Sequence, residues 1–198
     1  MEIVTYGHPC LRWKSKPITE ITPELKATVR KMFELMYSAN GIGLAANQVG
    51  LPYRFFIINP AASADEPEEE MVFINPEIVR RKGSVSGEEG CLSLPELYGD
   101  VPRAEEIVVE AFDVDGQGFE VSCSELIARV IQHETDHLDG VLFIDRMEES
   151  EREELSRNLD DFARQFQQLQ TDGKYASNAD IEKRLAELEQ TSEFPALD

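Results

Sequence analysis

His133-Glu134-Thr135-Asp136-His137 carries the densest chemistry in the chain. Positions i and i+4 share one face of a helix, so imidazoles at that spacing can reach a common metal ion. The glutamate between them can take a proton from water at that ion. The pattern also arises by chance, so its setting matters. Leu126, Val130, His133 and His137 step by 4, 3 and 4, which puts both histidines on an inward stripe. The competing reading is a pair of core histidines satisfied by hydrogen bonds. Two of the 3 histidines fall in this motif, which favours metal.

Two protein ligands fall short of the usual catalytic set of three plus a water. No histidine follows His137, and His8 sits in the turn-like Gly7-His8-Pro9, which reads as structural or surface. The glutamates from Glu148 to Glu154 offer a third ligand, but their charge run reads more simply as a solvated helix start. Cys91, in Glu88-Glu89-Gly90-Cys91-Leu92-Ser93, is the better candidate, because a thiolate is a strong ligand for a divalent ion. Cys10 and Cys123 read as small buried hydrophobes. Gly41-Ile42-Gly43-Leu44-Ala45-Ala46 formally matches a dinucleotide-binding loop. Such a loop follows a strand and opens a helix. This one follows a helical segment and runs into Val49-Gly50-Leu51-Pro52. It reads better as backbone that approaches a ligand closely, with Gln48 aimed into the site as a donor.

Several elements must position these groups. Thr22-Pro23 opens a helix whose Leu25, Val29, Met32 and Met36 keep helical spacing until Asn40-Gly41. The glycine-rich stretch over 41–50 is expected as a loop. Phe55-Phe56-Ile57-Ile58 reads as a buried strand, and 61–70 as a solvated acidic insertion. Two strands are expected on either side of Asn75-Pro76, and a hairpin around Asp115-Gly116. A second helix runs from Ser124 to Gly140, a candidate C′ glycine. In the tail, Leu155, Leu159, Phe162 and Phe166 predict a helix packed on the body. Ile181, Leu185 and Leu188 predict a weaker one, followed by frayed final residues.

The 198 residues suggest one domain with an appendage, divided at 147/148. Net charge is −20, which argues against a nucleic-acid surface, DNA included, and against anionic membranes. Residues 148–198 hold 14 acids and 6 bases, so the extension carries −8. Three cysteines suggest a reducing compartment rather than a disulfide scaffold. The first residues lack a basic stretch followed by an apolar one, and no apolar run is long enough to span a membrane, so the cytoplasm is expected.

Three segments in order and spacing, Gly41-Ile42-Gly43-Leu44-Ala45-Ala46-Asn47-Gln48, Glu89-Gly90-Cys91-Leu92-Ser93 and His133-Glu134-Thr135-Asp136-His137, resemble the motifs of bacterial peptide deformylases. The likeness extends to Gly7-His8-Pro9-Cys10-Leu11-Arg12, Val101-Pro102-Arg103-Ala104 and Ile131-Gln132, over roughly 1–147. It implies an α+β fold of mixed, mainly antiparallel sheets around a central helix carrying the two histidines, with a C-terminal helical extension. It implies Cys91, His133 and His137 as ligands of one divalent ion, usually Fe(II), with zinc, nickel or cobalt as substitutes. The implied substrate is the N-formyl-methionine end of a nascent polypeptide, and formate is released. Glu134 would be the base, with the Gln48 amide and the Leu92 backbone N–H stabilising the oxyanion.

The resemblance also places an extended peptide against Ile42, Gly43 and Gly90, with Leu126, Val130 and the His133 ring around the methionine. Arg129 either rims that pocket or is a solvated arginine. Glu89 and Arg103 would form an ion pair bracing the cysteine loop. Some family members touch the ribosome through a basic C-terminal helix; a −8 extension opposes that contact and leaves it open. Two other classes compete: a metallopeptidase with a glutamate ligand, and a silent binding protein on the same scaffold.

Overall fold

The computed structural model describes residues 1–194. Helix α1 spans Pro23–Ser38, with the Thr22 hydroxyl accepting from the Leu25 N–H at 3.2 Å. Leu25, Val29, Met32 and Met36 are all buried, as their spacing requires. The glycine-rich stretch is more regular than expected. It contains strand β1, Gly43–Ala45, and a 3-10 turn, Ala46–Val49. Pairing with β2, Phe55–Ile58, draws those three residues into the sheet.

Strand β3 runs unbroken over Met71–Lys82, where two strands were expected. Asn75 takes φ 52°, and the register shifts between Ile74 and Glu77. This irregularity carries Pro76, which has no N–H for the ladder, without ending the strand. The Asn75 amide also exchanges two bonds with the Ile18 backbone, at 2.8 and 2.7 Å. A second hairpin, β4 (Val85–Cys91) and β5 (Leu94–Arg103), was not expected. The expected hairpin is present as β6, Glu106–Phe112, and β7, Gly118–Ser124.

The main sheet has the order β1-β2-β3-β6-β7, and every pairing in it is antiparallel. Strand β2 is buried on both faces. Phe55 and Ile57 pack with α1, whereas Phe56 and Ile58 pack under the central helix α2, Glu125–Leu138. That explains a continuous apolar run instead of alternation. Helix α2 ends before Gly140, whose φ is 72°. A Cβ there would meet the Arg12 carbonyl oxygen at 2.6 Å, so the chain needs glycine twice over.

The extension forms α3 (Glu149–Glu154), α4 (Ser156–Thr171) and α5 (Asn178–Thr191). Leu159 and Phe166 anchor α4 as expected. The last helix is seated by Leu185 and Leu188, which are 2% and 3% exposed, and Leu188 joins the α1 core. The expected fraying falls on 195–198, outside the described residues.

Candidate metal centre

Helix α2 presents His133 and His137 side by side, with ring centroids 4.9 Å apart. The β4–β5 hairpin brings Cys91 to them, and its Sγ lies 3.3 Å from His137 Nε2. One donor atom from each of Cys91, His133 and His137 lies within 4.8 Å of the others. A thiolate and two imidazoles converging at this range suit one divalent ion. Among the described residues, no carboxylate of 148–154 joins this group, so a glutamate third ligand is not supported.

Glu134 is buried beside the cluster, and its Oε2 has no hydrogen-bond partner. Burial lifts its carboxyl to about 7, against the opposing pull of His133. It lies so close to Gly43 that a Cβ there would collide with Glu134 Oε1. Gly43 is therefore glycine for close approach. The Gln48 amide is oriented by the Ala45 N–H, which donates to Oε1 at 2.8 Å. Its Nε2 then points at Cys91 Sγ, 3.5 Å away, and at Ser93 Oγ, 3.4 Å away. Leu92 follows Cys91 where β4 turns into β5. An added Cβ on Gly41 would meet its Cδ1 at 2.7 Å.

These groups line one cavity of about 680 Å³. Ile42, Gly43, Gly90, Leu126 and Val130 line it too, as do Gln48, Leu92, Cys91, His133 and Glu134. Leu126 corrects the inward stripe: it lines the cavity but is 50% exposed, in the first turn of α2. The acidic insertion does not border the cavity. It is tied instead to Asn59, whose Nδ2 donates to the Ser63 and Glu66 carbonyls.

A buried ion network holds the centre in place. Arg103 makes two bonds of 2.9 Å to Glu89, and Glu89 Oε2 lies 2.9 Å from His133 Nδ1. This fixes the ring that faces the cluster. Burial would raise the Glu89 carboxyl, but the bonds from Arg103 and His133 prevail and hold it at about 2. Arg103 also reaches Asp136, which Arg146 contacts at 2.7 and 3.1 Å. Of the two alternatives for Arg129, the structure has it lining the cavity and not simply solvated. It bonds Glu89 and the Val101 carbonyl at 2.8 Å each, and the Val85 carbonyl at 2.9 Å, stapling the hairpin to α2. Sequence reasoning missed this staple, along with Asp136, Arg146 and Ser93. Asp136 lies inside the motif, but nothing local points to its distant partners.

His8 is structural. It is buried, and its Nδ1 accepts from the Cys10 N–H at 3.2 Å. Its ring meets Phe166 and Tyr175 edge-on. Cys10 is buried with its thiol pushed up by burial, as a small hydrophobe should be, and Cys123 is half-buried.

Comparison with known proteins agrees with this geometry. Residues 1–153 match the family model for polypeptide deformylase. A peptide deformylase of Rhodopirellula baltica is 41% identical over 189 residues, covering 96% of this chain and 94% of its own. One from Acidobacterium capsulatum is 47% identical over 157 residues, covering 79% and 92%. A crystal structure of peptide deformylase from Plasmodium falciparum superposes with a TM-score of 0.81 at 36% identity, covering 84% and 97%. By family model, sequence identity and fold alike, the chain belongs to the peptide deformylase family.

Proposed function

We propose that Cys91, His133 and His137 hold the divalent ion of this enzyme, and that Glu134, Gln48 and Leu92 carry out the chemistry beside it. As a deformylase, the chain is a hydrolase that removes the N-formyl group from nascent peptides. The observation that carries the residue assignment is the buried, partnerless Glu134 Oε2, which shares a cavity with Cys91 and His133, two of the three converging donors. When bound, the ion supplies a Lewis acid that makes water more acidic and polarises a carbonyl oxygen. Glu134 takes the proton of the attacking water and returns it to the leaving amine. Gln48 Nε2 and the Leu92 N–H donate to the formyl oxygen as negative charge gathers there.

The peptide backbone pairs in extended form with Ile42, Gly43 and Gly90. Leu126, Val130 and the His133 ring surround the methionine side chain. We assign Fe(II) to the site. Zinc, nickel and cobalt suit the same donors. Iron and activity lost together in air support Fe(II), and full aerobic activity with zinc bound overturns it. Among the described residues, no helix is long and apolar enough to cross a membrane, and the three cysteines are free. We place the enzyme in the cytoplasm. We keep 1–147 as the catalytic unit and 148–198 as an extension that supports it. The −8 extension opposes ribosomal RNA, and we assign it no ribosome contact.

The test is formate release from a short formyl-methionyl peptide, using anaerobically purified protein of known metal content, beside Glu134→Ala. Release by the parent alone supports the assignment. Equal release by metal-loaded Glu134→Ala overturns the role of the base.

A further inference from the structure

Gly99 stands in the middle of β5, and its φ is not positive, so its backbone does not call for glycine. It lies directly opposite Glu89 in the β4–β5 register. The two-residue period of strands puts any side chain at 99 on the buried face, in line with Leu97, Val101 and Arg103 and beside Glu89. The position carries no side chain, and the end of Met147 occupies that space instead. An added Cβ on Gly99 would come within 2.2 Å of Met147 Cε and 2.7 Å of its Sδ. A fixed junction delivers Met147 there. The 3-10 turn Phe143–Asp145 buries Phe143 and Ile144 in one cluster with Leu94, Leu97 and Val101, and Met147 packs against the same cluster. Asp145 accepts from the Leu142 N–H at 2.8 Å and from Arg12 Nη2 at 3.2 Å, and Arg146 holds Asp136.

We propose that Met147 is a positioning residue for the metal centre. Glu89 is the group on which its contact bears. The Glu89 carboxylate bonds Arg103, Arg129 and His133 Nδ1, which fixes the head of the side chain. The place of its strand, and the dryness beside its stem, depend on what fills the gap at Gly99. Met147 fills it, keeps β4 seated and excludes water there, and Glu89 then holds the His133 ring on the ion. Charge-assisted bonds of this kind weaken as water enters. The inference rests on the metal assignment above and extends it to a residue that does not line the cavity. Losing an outer partner of a ligand typically costs about 10- to 100-fold in metal affinity. Met147 acts one contact further out, so the lower end of that range is expected.

The test uses the full chain and two readouts, zinc transfer from the loaded enzyme to a chelator and the visible spectrum of the cobalt-substituted enzyme. Met147→Ala should release zinc about tenfold faster and shift the cobalt bands. Met147→Leu, close in volume, should restore both. Gly99→Ala displaces the end of a flexible side chain rather than backbone, so it should fold and produce the same two changes from the other side of the contact. It is read in place of Met147→Ala should that variant fail to fold. Leu188→Ala weakens a different core cluster and should keep the parental release and spectrum. Parental zinc release and cobalt bands in folded Met147→Ala overturn the inference. So does equally fast release by Leu188→Ala, which would make the effect one of global stability. Both results leave the metal assignment standing. A parent that binds no cobalt, or whose bands are unchanged by Cys91→Ser, overturns the metal assignment and the inference with it.

Discussion

Helices α2 and α5 are both 14 residues long, yet different forces hold them. Helix α2 buries Gln132, His133, Glu134, Thr135, Asp136 and His137 in succession. Most of these polar groups have a specific partner. Gln132 bonds both backbone groups of Ala104, at 3.0 and 2.9 Å. His133 meets Glu89, and Asp136 meets Arg103 and Arg146. Helix α5 is seated chiefly by Leu185 and Leu188, with the Tyr53 hydroxyl donating to the Leu188 carbonyl at 2.9 Å. Burial of apolar area is non-directional and tolerates small shifts. Charge-assisted bonds are directional, and losing one partner strands the other. The directional contacts position the donor cluster, and the apolar ones close a core. Two buried polar atoms of α2 at the site have no hydrogen-bond partner, Glu134 Oε2 and His137 Nδ1, and they belong to the base and a ligand proposed above.

Substitutions can separate the two modes, and the largest effect belongs to the network. Arg103→Ala leaves Glu89 and Asp136 buried without their shared cation. Unfolding in urea should show a loss of about 3–5 kcal/mol, and the metal should leave faster to a chelator. An unchanged denaturation midpoint would mean that Arg129 and Arg146 suffice without it. Gln48→Ala should raise the activation barrier by about 2.7–4 kcal/mol, with metal content and fold intact. Normal turnover by the metal-loaded variant would remove Gln48 from the oxyanion site.

Leu188→Ala should cost about 3 kcal/mol of stability, because it opens a cavity in the α1 core. Its kcat/KM per folded molecule should match the parent. A fall in kcat at full folding would show that α5 does more than close the core.

The smallest effect is a pH dependence at the junction of the extension with the body. Burial lowers the His8 pKa to about 4, against a weaker opposite pull from Glu2. The unfolded chain therefore binds the proton more readily. Stability falls as pH drops through about 6.5 towards 4, and this contribution changes no further below that. Between about pH 7 and pH 5 the His8 share is roughly 2 kcal/mol. His8→Asn should shrink the parent's loss of thermal stability over that interval by that amount. An unchanged pH profile would mean that His8 stays solvated.

Legibility followed the range of the forces involved. Helix α1 was readable from its Thr22-Pro23 start and its apolar spacing, and the β6–β7 hairpin from Asp115-Gly116. Both signals lie within a few residues of the structure they specify. The β4–β5 hairpin was not readable. Val85–Cys91 has one buried residue, Glu89, and a strand with a charged inner face shows no apolar alternation. The docking of α5 was not readable, because nothing near Leu188 in the chain names the α1 core that it enters. Leu126 sits at the right helical spacing, yet only the folded structure shows it half exposed at the cavity.

The types and local spacing of Cys91, His133, Glu134, His137 and Gln48 pointed to a thiolate–imidazole site that could hold a metal, with a carboxylate and an amide donor beside it. Ligand chemistry belongs to side chains, and helical spacing is a local property. Which partners hold those groups was decided only in three dimensions. Glu89 and Arg103 were expected as a pair, but Arg129, Asp136 and Arg146 join them across separations of 10 to 44 residues along the chain. A charge-assisted bond forms wherever the packed elements bring donor and acceptor within reach. Pattern along the chain carries no record of that reach, because it is set by how the hairpin, the sheet and α2 stack.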